Sequence, residues 1–454
     1  MARAGNLVHL RGAAGMGAIY RKVGWHLLPL LMLCHLVAYL DRVNLGFAQL
    51  QMKQTLPFAE PVYAWGAGLF FLGYFLFSVP SNLLLERVGV RQTLLRIMLC
   101  WGLAAAAGAF VRTPLQFYVL RFTLGLFEAG FYPGAILYLT YWFPAARRGR
   151  AIAVFGSAVL LSGTLAGPLC GLVLRYLDQW HGLLGWQWLF LLQGLPAVLL
   201  GLLAWAWLPD RPDDAAWLSP AELQLMQQEL DPDQAAAPPA AGAGRAALAA
   251  LLHDRLLYLL ALATFVLGGA GYALVFWLPT LMQGWGLRDP LQLGLYSVLP
   301  NLAGIAGMLL ICRHSDRRRE RRWHFVACML LAAGGLGLVL AAANDLPRSL
   351  AGISLAALGA AAAAPLFTTI LTEYLAPARA AAGLALLSSC GMLGAAAGPA
   401  LIGLLRAHGQ AGAMLQVLIG LYLLAGLLLL LAMRAMPGGH SAQRRAHPDS
   451  AAHS

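Results

Sequence analysis

About twelve apolar runs, each long enough to cross a bilayer, alternate along this chain with polar loops, and few folds accommodate that pattern. A membrane-spanning helix takes about 20 apolar residues. Six runs lie near residues 24–47, 62–85, 92–110, 115–142, 150–175 and 186–208. Six more lie near 255–282, 291–312, 324–343, 350–375, 381–405 and 412–434. Of the 454 residues 60% are hydrophobic and only 11% charged. A soluble domain carries roughly a quarter of its residues charged, so this chain cannot cover a water-facing surface of its own size. That excludes a soluble enzyme, a disordered chain and a catalytic domain on a single anchor. The expected class is an all-α polytopic membrane protein with twelve transmembrane helices.

The net charge of +12 would point to nucleic acid in a soluble protein, but here the basic residues sit in short loops and report topology instead. One set of alternate loops carries single basic residues: Lys53, Arg112, Arg175, Arg288, Arg348 and Arg406. The other set carries Arg3, Arg11, Arg21 and Lys22, then Arg87 and Arg91, then Arg147, Arg148 and Arg150, then the run from Arg313 to Arg322. The asymmetry predicts both termini in the cytoplasm, and the first run is expected to be retained rather than cleaved. Six cysteines, in or beside apolar runs, have neither metal-ligand spacing nor the context of a disulfide framework.

The pattern divides the chain into a cytoplasmic tail (1–23), a six-helix bundle (24–208), a central loop (209–252), a second bundle (253–435) and a cytoplasmic tail (436–454). In the central loop Ser219-Pro220-Ala-Glu222 predicts a short capped surface helix that ends at about Leu230, and Asp231-Pro232-Asp233 with the Ala/Pro/Gly run to Gly244 reads as a flexible linker. The halves echo one another. Gly163-Thr-Leu-Ala-Gly167-Pro168 precedes Arg175, and Gly394-Ala-Ala-Ala-Gly398-Pro399 precedes Arg406 at the same distance. Such motifs let helices approach closely, but two at corresponding places point to a duplication, the usual plan of secondary transporters.

The chain resembles the major facilitator superfamily. Its loop signature is matched by Asn82-Leu-Leu-Leu-Glu86-Arg87-Val-Gly89-Val-Arg91, with a partial echo at Ser315-Asp316-Arg317. Within that superfamily it is similar to the anion:cation symporter family: Tyr39-Leu40-Asp41-Arg42-Val43-Asn44, Arg121 with Glu128-Ala-Gly-Phe-Tyr-Pro133-Gly134, Trp142-Phe-Pro144, Leu208-Pro-Asp-Arg-Pro212 and Phe276-Trp-Leu-Pro279. The resemblance implies two pseudo-symmetric six-helix bundles that rock about a midplane site. It implies no cofactor beyond a proton as coupling ion, and a monomer as working unit. In the second half the match weakens at Ser388 and Met392 and at Pro365–Ile370, positions that usually touch substrate in look-alikes such as tartrate, phthalate, hydroxyphenylacetate and sugar-acid permeases.

Charges at bilayer depth cost about 2.5–3.5 kcal/mol each even on a lenient scale, so Asp41, Arg42, Arg121 and Glu128 are functional candidates. Arg121 and Glu128 stand two turns apart on one stripe that Tyr132 extends, about 10 Å from each other. Asp41 and Arg42 diverge by about 100°; His35 and Tyr39 lie on the side of Arg42, and Asn44 lies one turn beyond Asp41. Ion pairing that merely locks the helices is the plainer alternative, yet buried ion pairs stabilise poorly compared with apolar packing. Arg42, a planar five-donor cation, suits bidentate capture of a carboxylate, and protonating a carboxylate would free its Arg partner for that anion. The resemblance implies the same roles: Arg42 for substrate, Asp41 and Glu128 for protons, and Arg121 to adjust Glu128.

Tyr39, Asn44, Tyr74, Tyr272 and Ser388 are further substrate-binding candidates, with Gln193, Asn301 and Thr368 as weaker ones and His35 as a candidate relay. Glu86, Arg87 and Arg91, and Asp316 with Arg317, are expected to form inward-side ion-pair latches, and Glu373 is a candidate gate. No nucleophile–base pair, phosphate-binding loop or metal cluster is visible. The expectation is proton-driven uptake of a small organic anion across the inner membrane, compact or partly apolar rather than polyhydroxylated. The alternatives are a proton antiporter exporting drugs or metabolites, and a non-transporting sensor.

Overall fold

The computed structural model describes residues 13–234, 253–375, 377–408 and 413–435. Every described span is helical, as lipid requires when the backbone must satisfy its own hydrogen bonds. The first half comprises α1 (Ala13–Thr55), α2 (Glu60–Val88), α3 (Val90–Ala107), α4 (Pro114–Glu128), α5 (Phe131–Trp142), α6 (Ala145–Tyr176) and α7 (Gly185–Trp207). A surface helix, α8 (Pro220–Gln234), follows. The second half comprises α9 (Arg255–Gly284), α10 (Pro290–Tyr296), α11 (Val298–Arg318), α12 (Arg322–Ala341), α13 (Leu346–Tyr374), α14 (Pro377–Ala407) and α15 (Ala413–Ala435). Twelve of these segments are long and apolar enough to cross a membrane, with α4–α5 and α10–α11 each forming one broken span.

Local chemistry sets the ends. Thr113 and Gln116 form a reciprocal capping box around Pro114, and Asp254, Asp289 and Asp345 cap α9, α10 and α13 with their carboxylates. Gly89, at φ 92°, turns the chain between α2 and α3 where a side chain would be strained. Since twelve spans alternate in direction, the start of α1 and the end of α15 share one side, called here the terminal side; the α1–α2, α6–α7 and α14–α15 connections lie on the far side.

The two halves meet along small residues. A Cβ on Gly167 of α6 would stand 2.6 Å from the Gly294 carbonyl of α10, and one on Gly68 of α2 would stand 2.5 Å from that of Ala396 in α14. Span five against span eight and span eleven against span two are the same crossing with the halves exchanged. The crossing is repeated, but its glycines are not used alike: Gly163 and Gly167 face Asn301 and Gly294 of the other half, whereas Gly394 and Gly398 pack on the Phe265 and Gly269 carbonyls of α9 in their own half, and Ala396 between them meets Gly68.

Two expectations need correction. Residues 13–23 are not a tail but the first turns of α1, with Met16, Ile19, Tyr20 and Val23 buried at helical spacing. The start of α1 packs on the central loop and on α6: Lys22 Nζ lies 2.9 Å from Glu222, His26 stacks on Trp217, and Arg147 of α6 sits over Tyr20. The expected capping box is present, since Ser219 and Glu222 bond each other's backbone, but α8 then runs on to Gln234. The expected linker to Gly244 lies outside the described residues.

Candidate functional site

Arg42 and Glu128 form the central ion pair. Arg42 Nε and Nη2 lie 2.7 and 2.6 Å from Glu128 Oε1, while Oε2 is buried with no hydrogen-bond partner. Glu128 closes α4, and the break that follows at Ala129–Gly130 lets α2 come in: a Cβ on Gly130 would collide with the Ser81 side chain. The Glu128 side chain is fully buried, and that of Arg42 is 16% exposed. Below the Arg42 guanidinium lies the Tyr74 ring, 4.9 Å away.

Arg121 makes no hydrogen bond to Glu128 in this arrangement, though its charge acts on that carboxylate through space. Its Nε donates to the Gly66 carbonyl at 3.3 Å, and Nη1 is buried without a partner. Its guanidinium lies 5.0 Å from the centre of the Phe70 ring, with Arg42 at 5.6 Å from the same ring. One benzene ring thus neighbours both cations, a role for Phe70 that its place in an apolar run gave no way to anticipate.

Asp41 points away from Arg42, as adjacency on one helix requires. It is 1% exposed and accepts from Trp101 Nε1 at 3.0 Å and from Asn44 Nδ2 at 3.1 Å. Asn44 Nδ2 also donates to Gln193 Oε1 of α7. Among the described residues Asp41 has no ion pair. Asn44 and Gln193 are therefore inside the first half, holding Asp41, and do not line the space between the halves. Trp101 on α3 is a residue that sequence reasoning missed, because a lone tryptophan in an apolar helix carries no signal of what its N–H will meet. His35 stacks on Phe155 and shares a hydrogen bond with its carbonyl at 3.3 Å, within an aromatic cluster that includes Tyr132.

A cavity of about 520 Å³ lies between the halves. Tyr39, Tyr272, Asn301 and Ser388 line it, together with Tyr422 of α15, whose buried hydroxyl has no partner. Arg42 stands one helical turn from Tyr39, and Phe71, one turn before Tyr74, packs on the Tyr272 ring at 4.4 Å. The cation is not itself among the lining residues but stands beside them, behind the first-half wall. Thr368 bonds back to Ala364 and is not among the lining residues.

Of the expected latch residues, two that are described make local contacts. The Arg91 amide donates to Asp210 at 2.9 Å, and its guanidinium meets the Trp205 carbonyl, so it ties α3 to the end of α7 within one half. Asp316 pairs with Arg321 of its own loop at 2.7 Å, whereas Arg317 is exposed. The side chains of Glu86, Arg87 and Glu373 lie outside the described residues.

Among the described residues, ion pairs between the halves sit on the far side. Arg406 of α14 holds Glu60 of α2 through two contacts at 2.6 and 3.0 Å, and Lys53 of α1 reaches the same carboxylate at 3.2 Å. Arg406 and Lys53 both lie over the Trp277 ring, at 5.1 and 5.2 Å. Arg175 of α6 pairs with Asp289 at the head of α10, and that bond holds the exposed Asp289 carboxyl below its ordinary range.

The profile of the Major Facilitator Superfamily matches residues 31–353 and 289–452. Metabolite transport protein NicT of Pseudomonas putida is 41% identical over 83% of this chain and 85% of its own length. A protein of Agrobacterium vitis that carries the name of a tartrate transporter is 40% identical over 91% of this chain and 93% of its own. The quinolone resistance transporter of Acinetobacter baumannii is 41% identical over 86% and 89%. Among solved structures, a bacterial homologue of the human lysosomal transporter Spinster superposes with a TM-score of 0.74 at 17% identity, covering 91% of this chain and 97% of that one. The inward-open xylose transporter XylE of E. coli gives 0.71 at 14%, over 92% and 98%. Twelve apolar helices in two pseudo-symmetric bundles, the fold of those solved structures and the family profile agree: the chain is a multi-pass membrane transporter, not an enzyme, and belongs to the major facilitator superfamily.

Proposed function

We propose that this transporter takes up small organic anions by proton-coupled symport, with Arg42 as the carboxylate anchor. The observation that carries the reading is the Arg42–Glu128 pair: a bidentate-capable cation beside the cavity, occupied by a carboxylate that a proton can neutralise. With Glu128 protonated, Arg42 turns to the substrate; with Glu128 ionised and substrate absent, the pair re-forms. Proton and anion thus travel together between two states of one fold. Asp41, held by Trp101 and Asn44 away from that pair, is the second proton carrier. The far-side ties close one entrance, and the rocking of the halves opens it. The loop charges support an inner-membrane location with both termini in the cytoplasm, and the cavity lies within one chain, which supports a working monomer. The relatives named for tartrate transport fit a carboxylate substrate.

Proteoliposomes containing the purified protein and an internal pH dye test this directly. An inward gradient of an accepted organic anion is expected to acidify the lumen, and absence of proton entry with every carboxylate offered would overturn symport. The Acinetobacter relative's name favours a second reading, proton-driven export. In that case a preformed pH gradient would drive an amphiphilic drug against the proton flow.

A further inference from the structure

The cavity wall contains no Asp, Glu, Lys, Arg or His among its described lining residues. Glycine, alanine and aliphatic side chains make up most of it, and the polar groups are all neutral. Two of these are already engaged: Thr264 donates to the Leu260 carbonyl at 2.7 Å and Asn301 Nδ2 to that of Ser297 at 2.8 Å. What remains for a ligand is Asn301 Oδ1 and the hydroxyls of Tyr39, Tyr272, Ser388 and Tyr422.

Among the described residues the cation set beside this space is Arg42, one helical turn from the lining Tyr39. Arg121 is buried, its Nε is committed to the Gly66 carbonyl of α2, and it is not among the residues that line the cavity, so it is not placed to serve as a second anchor there. Arg42 can neutralise one carboxylate. A second one, carried into an apolar wall with no counter-charge, would be a buried unpaired ion, and such ions are strongly disfavoured. Hydroxyls can solvate a neutral polar substituent, but not a second full charge at the same cost.

We propose that the transporter selects monocarboxylates with an uncharged, partly apolar body and rejects dicarboxylates. This rests on the organic-anion reading and narrows it, and it separates this chain from relatives named for tartrate, a dicarboxylate.

The full-length protein in proteoliposomes decides the matter with matched pairs, benzoate against phthalate and 3-hydroxybutyrate against malate, at a pH where every carboxylate is ionised. Labelled-anion counterflow and lumenal pH are read together. The expected result is that each monocarboxylate exchanges and its dicarboxylate partner does so about tenfold less or weaker still, since the second charge lacks a counter-ion. Equal or faster exchange of the dicarboxylates would overturn the selectivity while leaving organic-anion transport standing. No counterflow with any pair would remove the organic-anion reading, and the selectivity with it. A Ser388→Lys variant supplies the missing cation at an exposed wall position and is expected to move the preference toward phthalate and malate by about tenfold. An unmoved preference in a variant with wild-type thermal stability would count against the proposal, and the wild-type panel decides if the variant does not fold.

Discussion

Replacing Glu128 with Gln removes the charge that competes with substrate for Arg42 while keeping the shape of the side chain. In the wild type both guanidinium contacts, at 2.7 and 2.6 Å, end on one carboxylate oxygen inside a fully buried site. A hydrogen bond to a charged group contributes about 1.5–3 kcal/mol. At about 1.4 kcal/mol per factor of ten, the ionised Glu128 should weaken anion binding by about ten- to a hundredfold relative to a state in which it is neutral. Wild-type affinity for an accepted monocarboxylate should therefore fall as pH rises over the range in which the protein stays folded, because deprotonation restores the competitor. The Glu128→Gln protein should bind with the tighter, acid-side affinity at every pH. Equilibrium binding of the labelled anion to detergent-purified protein across that range measures it, with melting temperature as a check on folding. A Glu128→Gln variant that keeps the wild-type slope with pH would refute competition at Arg42 and move the proton site elsewhere.

Arg42→Ala should abolish saturable anion binding while the protein remains folded, and retained affinity would dismiss Arg42 as the anchor. Trp101→Phe removes the N–H donated to Asp41 without removing the ring; binding should survive, but the pH at which uphill uptake is half-maximal should shift, and an unchanged profile would make Trp101 mere packing. Asp41→Asn combined with Glu128→Gln should still exchange anion for anion yet fail to accumulate it uphill. At Glu222 burial opposes ionisation, but the hydrogen bonds from Ser219 and Lys22 outweigh it and hold the pKa below its ordinary value. The docking of α8 on α1 should therefore be at full strength at neutral pH, above the unfolded-chain value, and weaken as pH falls through the lowered one. Hydrogen exchange at the start of α8 reports it, and protection that is constant down to strongly acidic pH would contradict the reasoning.

The spans were legible because the constraint on them is local: each needs only its own length of apolar residues. The repeat was legible for a related reason, since a glycine at a helix crossing leaves its mark in the sequence of one helix at a time. Side-chain partnership is different. That Asp41 and Arg42 must diverge follows from helix geometry, but that Arg42 meets Glu128, with Arg121 parted from it by Phe70, depends on how α1, α2 and α4 are set against one another. Asn44 shows the limit well. Its place one turn from Asp41 was readable, whereas its position inside the first half depends on Gln193, which stands 149 residues away in the chain. The start of α1 was missed for a simpler reason: Arg21 and Lys22 interrupt the apolar run and conceal the buried stripe of Met16, Ile19, Tyr20 and Val23.

The far-side cluster has a mechanical consequence. Lys53 and Glu60 belong to the first half, Arg406 and Trp277 to the second. In the rocking cycle proposed above, parting of the halves there would leave Glu60 with the ammonium of Lys53, and Arg406 with the face of Trp277. Neither ion is left without a companion on either side of the stroke. A clasp built this way would cost less to release than one whose ions were stranded on opening, because each charge retains a partner on its own half.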